Sequence, residues 1–342
     1  MSEIEKPRAS SRREFFLQGS LASMGLLMAG SAAQAKSLLK YFEKDPDSKF
    51  FGVQIGVITY SFRSMPGSIA QVLQYCVDSN INAIELIGDA AEDYAGKPVN
   101  PVKMGPRTPG QPLQLTDEQK TQLAAYQKQL AQWRSAVSMD KFIEIRKMYN
   151  KAGVSIYAFK PNALGTNNTD AEIEYALRAA KALGADCVTV ELPGDPAQSK
   201  RLGDFGEKHK TYIGYHAHLQ ASDTAWDVAL SQSPFNSMNL DCGHYIAASE
   251  KNTRETLLAL IQAKHDRITS LHLKDRKSKA NGGVNMPWGQ GDTPIREILL
   301  LMKEKKYKFP ATIELEYDIP SGSDAVKETR NCLEYAKKAL GA

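Results

Sequence analysis

The chain has 342 residues, 42% of them hydrophobic and 24% charged, which is an ordinary composition for a soluble globular protein. Lysine and arginine number 43 against 39 aspartates and glutamates, giving a formal net charge of +4, and part of this small excess lies in the first fourteen residues. No basic stripe or run follows, so the sequence argues against a nucleic-acid-binding surface.

The N-terminus has the features of an export signal. A charged start containing SRREFF at residues 11–16 precedes a short apolar stretch at 21–29 and an A-x-A site at 33–35. Adjacent arginines followed by phenylalanine match the twin-arginine type of signal. The apolar stretch is too short and too rich in small residues to span a membrane, and nothing later resembles a transmembrane segment. We therefore expect a twin-arginine signal peptide at 1–35 and an exported, periplasmic protein beginning near Lys36; the alternative is an amphipathic tail.

Beyond residue 50, a short apolar or β-branched run followed by an amphipathic helix occurs eight times. The predicted strands are 56–62, 83–88, 154–159, 187–192, 212–218, 238–241, 268–273 and 311–316. The predicted helices are 69–79, 139–152, 171–183, 198–208, 224–231, 253–264, 294–305 and 324–339, and Gly153 and Gly184 are typical of helix C-caps. Strands that alternate with helices imply a parallel sheet, and eight units imply a (β/α)8 TIM barrel of the α/β class. A doubly wound open sheet is the alternative, but it favours a Gly-rich first turn.

The barrel is predicted to form a single domain that spans residues 36–342. The second strand is followed by a long insertion at 89–138, with a Pro/Gly-rich piece at 97–112 and a polar helix at 116–133. Such an insertion lies over the barrel mouth, so we expect a lid or substrate wall, or alternatively a surface elaboration or a homo-oligomer contact.

The four cysteines are far apart, and Cys187 and Cys242, inside apolar runs, are expected to be buried free thiols.

The predicted carboxyl ends of strands four to eight are rich in residue types that bind metals. They read VELP, GYHAH, LDCGH, LHLKD and IELE, and they contain Glu191, His216, His218, Asp241, His244, His272, Lys274, Glu314 and Glu316. Catalytic residues of a TIM barrel lie at this end. Since alternate residues of a strand share a face, His216 and His218 are expected to point the same way, as are Glu314 and Glu316.

A mixed set of imidazoles and carboxylates suits Mn²⁺, Co²⁺, Fe²⁺ or Zn²⁺ better than Ca²⁺. Burying several charges in one barrel mouth without a cation would be costly. We therefore predict one divalent cation at the mouth, the alternative being that each polar residue is buried and paired on its own.

The combination GYHAH, LDCGH, LHLKD and IELE resembles the xylose-isomerase-like barrel family of sugar phosphate isomerases and epimerases, from about Gly52 to Ala339. In that family one ligand comes from each of strands five to eight, usually Glu, Asp, His and Glu. The resemblance implies His216, Asp241, His272 and Glu314 as ligands. His216 departs from the usual glutamate, so Glu191 is an alternative or additional ligand. A related nuclease branch binds three zinc ions through histidines on strands two and three, where this chain has Glu85 and Lys160.

The resemblance also implies a mechanism. A metal-bound carbonyl acidifies the neighbouring C–H, a carboxylate removes the proton, and the resulting enediolate is reprotonated elsewhere or eliminates a substituent. Glu314, Glu191 and Glu316 are the candidate bases, and His244 and His218 could transfer protons or bind hydroxyl groups. Lys160 and Lys274 are cationic candidates for an oxyanion or leaving group, or they form salt bridges to Asp275 or another rim carboxylate. The loop 288–292, which begins at Trp288, could cradle a phosphate or be a simple turn.

Export bears on the substrate, because sugar phosphates are mainly cytoplasmic. We therefore expect a small-molecule sugar or glycoside substrate and an isomerase or epimerase, with a 3-keto-glycoside lyase using the same chemistry as the alternative. A non-catalytic sugar-binding barrel would keep the Trp288 and Tyr60 walls without needing carboxylates at both strands four and eight. A nuclease is disfavoured by the near-neutral charge of the mature chain.

Overall fold

Eight parallel strands form the centre of the protein, seen here in a computed structural model that describes residues 45–102 and 115–342. The strands are β1 (Val53–Ile58), β2 (Ala83–Ile87), β3 (Ser155–Lys160), β4 (Cys187–Glu191), β5 (Tyr212–His216), β6 (Asn236–Asp241), β7 (Ile268–Leu273) and β8 (Ala311–Ile313). The predicted signal peptide at 1–35 and residues 103–112 of the Pro/Gly-rich piece lie outside the described residues.

The strands pair in sequence order, and the sheet closes on itself because β1 pairs in parallel with both β8 and β2. A two-residue strand at Lys49–Phe50 adds to β1 in antiparallel fashion. The closed arrangement confirms the predicted TIM barrel and excludes the doubly wound sheet. It also brings the carboxyl ends of all eight strands to one end of the barrel.

Helices surround the barrel. They are α1 (Ile69–Asp78), α2 (Gly88–Tyr94), α3 (Asp117–Ala136), α4 (Asp140–Lys151), α5 (Asp170–Leu183), α6 (Pro196–His209), α7 (Asp227–Gln232), α8 (Cys242–Ala248), α9 (Arg254–Lys264), α10 (Ile295–Lys305) and α11 (Ala325–Leu340). Capping boxes at Ser68, Thr116, Thr169 and Thr253 begin four of them, because each side chain accepts the N–H three residues on. Gly184 ends α5 with φ of +84°, as predicted.

Several strands end earlier than the sequence predicts. The fifth ends at His216 rather than at residue 218, the eighth ends at Ile313 rather than at residue 316, and the first gives way to a 3₁₀ turn at Thr59–Phe62. His218 and Glu316 therefore follow their strands, and the period-2 argument for a shared face does not apply to them. The loops that follow the strands are as polar as the strand ends themselves. Composition alone therefore does not show which residue is the last to form hydrogen bonds within the sheet.

The insertion after β2 contains α2 and α3, and a buried arginine attaches α3 to the barrel. Arg134 is 1% exposed and forms salt bridges to Glu92 of α2 at 3.0 Å and Glu172 of α5 at 3.1 Å. It also donates to the carbonyl of Asn162, and Tyr175 donates to the same Glu92 carboxylate. The predicted polar helix is therefore docked through a buried charge network.

Two expectations about the rest of the chain have outcomes in the structure. All four cysteines are buried free thiols, which confirms the expectation for Cys187 and Cys242. Within the described ranges, no helix is both long and apolar enough to cross a bilayer.

Candidate metal centre

Four side chains from four neighbouring strands meet at the carboxyl end of the barrel. His216 ends β5, Asp241 ends β6, His272 lies in β7, and Glu314 directly follows β8. All four are buried, and each offers one ligand atom within 4.8 Å of the others. Parallel pairing aligns His272 with Asp241 across the sheet, so the backbone itself holds this grouping.

Asp241 carries a buried oxygen that faces the ammonium group of Lys274 without forming a hydrogen bond. Its Oδ1 caps helix α8 by accepting the N–H of His244 at 2.7 Å. Its Oδ2 is buried and has no hydrogen-bond partner among the described residues. Burial raises the pKa of this carboxyl to about 6, although the ammonium group of Lys274 opposes the rise. Lys274 Nζ lies 3.0 Å away and balances part of its charge, and a bound cation would supply the directed contact that this oxygen lacks.

His216 presents a free nitrogen lone pair to that oxygen. Its Nδ1 lies 2.8 Å from Asn239 Oδ1, while the Asn239 amide nitrogen donates to Glu85 and Ser270. Asn239 Oδ1 is therefore an acceptor, so the His216 proton is on Nδ1 and Nε2 is unprotonated. Burial keeps the pKa of His216 well below its usual value, so the ring is neutral. Its Nε2 lies 3.8 Å from Asp241 Oδ2, which is the arrangement of a metal-ligating histidine oriented by a second residue.

His272 is held between two carboxylates. Its Nε2 lies 2.8 Å from Glu85 Oε2, and its Nδ1 lies 2.9 Å from Glu314 Oε2. Although burial opposes a charged ring, the two carboxylates raise the pKa of His272 to about 10. Burial also opposes ionisation of Glu314, yet Lys274 and His272 lower the pKa of Glu314 well below its usual value. Since Glu85 holds Nε2, the nitrogen on the side of the other ligand candidates is Nδ1.

Glu85 contacts the four-residue group through His272, and the sequence analysis did not place it in the site. It is fully buried and accepts hydrogen bonds from Thr189 and Asn239 in addition to its contact with His272. The signal available in the sequence was a glutamate inside the apolar strand AIELI. Its partner lies 187 residues further along the chain, so the role of Glu85 in orienting His272 emerges only from the fold.

Replacement of Glu85 by glutamine should weaken metal binding by about 10- to 100-fold, because a neutral amide orients and polarises His272 less well than a carboxylate. Titration of metal-free protein with Zn²⁺ against a chromophoric chelator measures this change. Glu207→Gln, on α6, is the matched control. Unchanged affinity in Glu85→Gln would contradict the role assigned to Glu85.

Lys274 brings a positive charge to the edge of the four-residue group. Its ammonium nitrogen is 3.0 Å from Asp241 Oδ2 and 2.8 Å from Glu314 Oε2. A third contact of 2.7 Å joins it to Glu316 Oε2. These carboxylates raise the pKa of Lys274 although burial opposes its charge. Of the two readings of Lys274 from the sequence, the structure shows pairing with rim carboxylates, but not with Asp275.

His244 faces two cations. Its Nδ1 lies 2.6 Å from Arg276 Nη1 and its Nε2 lies 3.0 Å from Lys274 Nζ. Burial, Lys274 and other nearby charges lower the pKa of His244 to about 2, so the ring is neutral. A neutral imidazole accepts at one nitrogen only, so it can satisfy one of these two donors. A second group of atoms, on His216, His218 and His244, also lies within 4.8 Å, but its His244 lone pair is already engaged.

Glu191 lies at the mouth but outside the four-residue group. Its side chain is about half exposed, with Oε1 at 2.9 Å from Lys160 Nζ and Oε2 at 3.3 Å from His218 Nδ1. The His218 ring in turn packs against His216, with centroids 4.9 Å apart. Between the two alternatives on this side of the barrel, the structure brings His216 into the group and leaves Glu191 beside it.

The loop after β7 is not the phosphate cradle considered from the sequence. The N–H groups of Gly289, Gln290 and Gly291 all donate to Asp275 Oδ2, and that of Thr293 donates to Asp275 Oδ1. These donors are therefore occupied by the protein. The Trp288 ring is 9% exposed and packs edge-on against Tyr335 of α11, so most of its surface is in the core.

The four-residue group fits one divalent cation. It combines two carboxylates and two imidazoles, and it includes the unprotonated His216 Nε2 and Asp241 Oδ2, which accepts no hydrogen bond from the described residues. Such a nitrogen–oxygen donor set suits Zn²⁺, Mn²⁺, Fe²⁺ or Co²⁺.

Comparison with known proteins supports the fold. The sequence pattern of the xylose isomerase-like TIM barrel family matches residues 121–336, more than half of the chain. No curated protein matches the chain with significant sequence similarity. A xylose isomerase domain protein from Alicyclobacillus acidocaldarius superposes with a TM-score of 0.57, 12% identity, and 84% and 98% of the two chains covered.

Two other solved structures are similar to the same extent. The IOLI protein, solved with a binding zinc atom, has a TM-score of 0.55 and 15% identity over 84% of this chain and 98% of its own. The D-psicose 3-epimerase from Clostridium cellulolyticum, solved with D-tagatose, has a TM-score of 0.55 and 11% identity over 84% and 99%. At these identities the likeness establishes the fold, and together with the sequence match it establishes that the chain belongs to the xylose isomerase-like TIM barrel family.

Proposed function

We propose that the protein is a divalent-metal-dependent enzyme that isomerises or epimerises a sugar by moving a proton next to a carbonyl group. The observation that carries this proposal is the buried group of His216, Asp241, His272 and Glu314, in which a carboxylate oxygen without a hydrogen bond faces an unprotonated imidazole nitrogen. The family relationship supports the same reading.

The cation, when bound, would polarise a sugar carbonyl and its neighbouring hydroxyl group and so acidify the adjacent C–H bond. The base is proposed to be Glu191. Among the three candidate carboxylates, Glu314 belongs to the ligand group, and Glu316 pairs with the buried Lys274 and is 23% exposed. Glu191 also pairs with a lysine, but its side chain is 48% exposed, so it is the most open of the three to a substrate in the mouth. Return of the proton from Glu191 to the neighbouring carbon would complete an isomerisation, whereas epimerisation would require a second proton donor on the opposite face of the intermediate.

The partners of Glu191 orient it and are available to the substrate. Lys160 holds one carboxylate oxygen and His218 the other, so the carboxylate keeps a fixed direction at the mouth. Both side chains could also donate hydrogen bonds to sugar hydroxyl groups. This arrangement favours a substrate that carries several hydroxyl groups close to the reacting carbon.

We further propose that the substrate is a free or oxidised sugar, or a glycoside, rather than a sugar phosphate. The twin-arginine motif at 11–16 supports export to the periplasm. The capture of the loop N–H groups by Asp275 removes the phosphate cradle that the sequence suggested. Both observations favour an uncharged substrate.

The proposal is tested by elemental analysis of the purified mature protein, followed by incubation with free ketoses and with a 3-keto-glycoside, with and without Mn²⁺. A bound transition metal and metal-dependent formation of an epimeric or isomeric sugar are expected, and Glu191→Gln should lose most of that activity. Release of the aglycone without epimerised sugar would replace the isomerase by a lyase. Absence of bound metal, with no stabilisation on adding metal, would overturn the proposal.

A further inference from the structure

We infer that Lys274 is a built-in cation that competes with the divalent metal for the same carboxylate oxygens and thereby limits the affinity of the centre. The inference rests on the proposed metal centre. It assigns Lys274 a role in lowering metal affinity, which is separate from a role in binding the substrate. Removing the ammonium group should make metal binding tighter rather than weaker.

The contacts of Lys274 carry the first step. The two oxygens that its ammonium nitrogen approaches within 3.0 Å, Asp241 Oδ2 and Glu314 Oε2, belong to two of the four candidate ligands. One of them is the buried oxygen without a hydrogen-bond partner. The Lys274 side chain is 2% exposed, so water screens its charge very little.

The stem of Lys274 is confined, which keeps the ammonium group close to the ligands. A Cβ atom added at Gly243 would lie 2.4 Å from Lys274 Cγ and 2.5 Å from its carbonyl oxygen. The side chain therefore passes through a space that only glycine leaves open. Because Lys274 lies two residues after His272 on the same chain segment, the ammonium group cannot move far from the centre.

Among the described residues, Glu316 provides the carboxylate contact of Lys274 that lies outside the ligand group. Its Oε2 is 2.7 Å from the ammonium nitrogen, and its side chain is 23% exposed at the rim. His244 is a less dependable partner, because its single lone pair is shared between Lys274 and Arg276. A bound divalent cation repels the ammonium group and weakens its contacts with Asp241 and Glu314, so Lys274 depends more strongly on Glu316.

This competition fixes the signs of the expected effects. Lys274→Met removes the competing charge and should increase metal affinity by about tenfold or more, since charges at this distance interact strongly in a buried site. Glu316→Gln removes the alternative partner, leaves Lys274 on the ligand oxygens, and should reduce the affinity. In the Lys274→Met background, Glu316→Gln should have little effect, because no ammonium group remains to be held.

The experiment measures the dissociation constant of Zn²⁺ for metal-free protein by competition with a chromophoric chelator, for wild type, both single variants and the double variant. Lys160→Met is the matched control. It removes another ammonium group at the mouth, whose salt bridge among the described residues is with Glu191, outside the ligand group. It should change the affinity much less than Lys274→Met does. Circular dichroism verifies that each variant is folded, and Lys274→Gln replaces Lys274→Met if the latter does not fold.

The outcomes separate the inference from the function on which it rests. If wild type binds no metal, the proposed centre fails. If wild type binds metal but Lys274→Met binds it equally or more weakly, the centre stands and the competition is wrong. If Lys160→Met increases the metal affinity as much as Lys274→Met does, the effect comes from the loss of any positive charge at the mouth, and the inference is overturned as well.

Discussion

Replacement of Asp241 by asparagine is expected to abolish tight metal binding and to lower kcat/KM by at least about a thousandfold, because the cation contributes several kcal/mol of transition-state stabilisation. Asparagine can still cap α8 through its side-chain oxygen, so the fold should persist. Its amide group places an N–H donor in the position of Oδ2, next to the ammonium group of Lys274. Metal content by elemental analysis and steady-state kinetics measure the two effects.

Asp227→Asn is the matched control for this prediction. Asp227 pairs with Lys264 at 2.8 Å at a partly exposed position on α7, outside the ligand group. The control should retain metal content and activity. An Asp241→Asn protein that binds one equivalent of metal with wild-type affinity would contradict the assignment of Asp241 as a ligand.

Replacement of Arg134 by methionine is expected to reduce the free energy of unfolding by about 3–5 kcal/mol, because it leaves the buried carboxylate of Glu172 without its countercharge and that of Glu92 with the more distant Lys97 at 3.7 Å. Urea unfolding followed by circular dichroism measures the loss. Although burial opposes ionisation, hydrogen bonds from the Thr169 backbone and from Arg134 lower the pKa of Glu172, so the effect should be largest near neutral pH and smaller in acid, where protonation of Glu172 removes its charge.

Arg254→Met is the comparison for Arg134→Met. Arg254 also pairs with a glutamate, Glu297 at 3.2 Å, but its side chain is 57% exposed. An exposed pair contributes at most about 1 kcal/mol, so this variant should be close to wild type. Equal losses of unfolding free energy in the two variants would show that burial does not account for the contribution of the Arg134 network to stability.

The barrel could be predicted from the sequence because each strand–helix unit carries its own hydrophobic periodicity. The rule that parallel strands end on one side placed Asp241, His272 and Glu314 at the mouth, and the resemblance to the family singled them out as ligands. Residues whose importance depends on a distant partner could not be predicted in this way. Glu85 meets His272 across the barrel, and the sequence contains no sign that the two are neighbours.

The loop at 288–292 illustrates a different limit. Its glycines suggested free N–H groups, and such groups bind phosphate in many proteins. The structure shows that they bind Asp275, which belongs to the same LHLKD segment as His272 and Lys274. Tertiary geometry decides which acceptor a backbone N–H group binds. The composition of the loop therefore indicated N–H groups that bind an anion, but not that the anion is the Asp275 carboxylate.

The attachment of this loop to Asp275 has a consequence for protein engineering. A Cβ atom at Gly291 would lie 2.0 Å from Asp275 Oδ1, and Gly289 has φ of +85° with Tyr335 beside it. Side-chain libraries at these two positions should therefore yield mainly misfolded variants. Changes of substrate preference are better sought around Glu191 and His218, where half-exposed side chains leave room for new contacts.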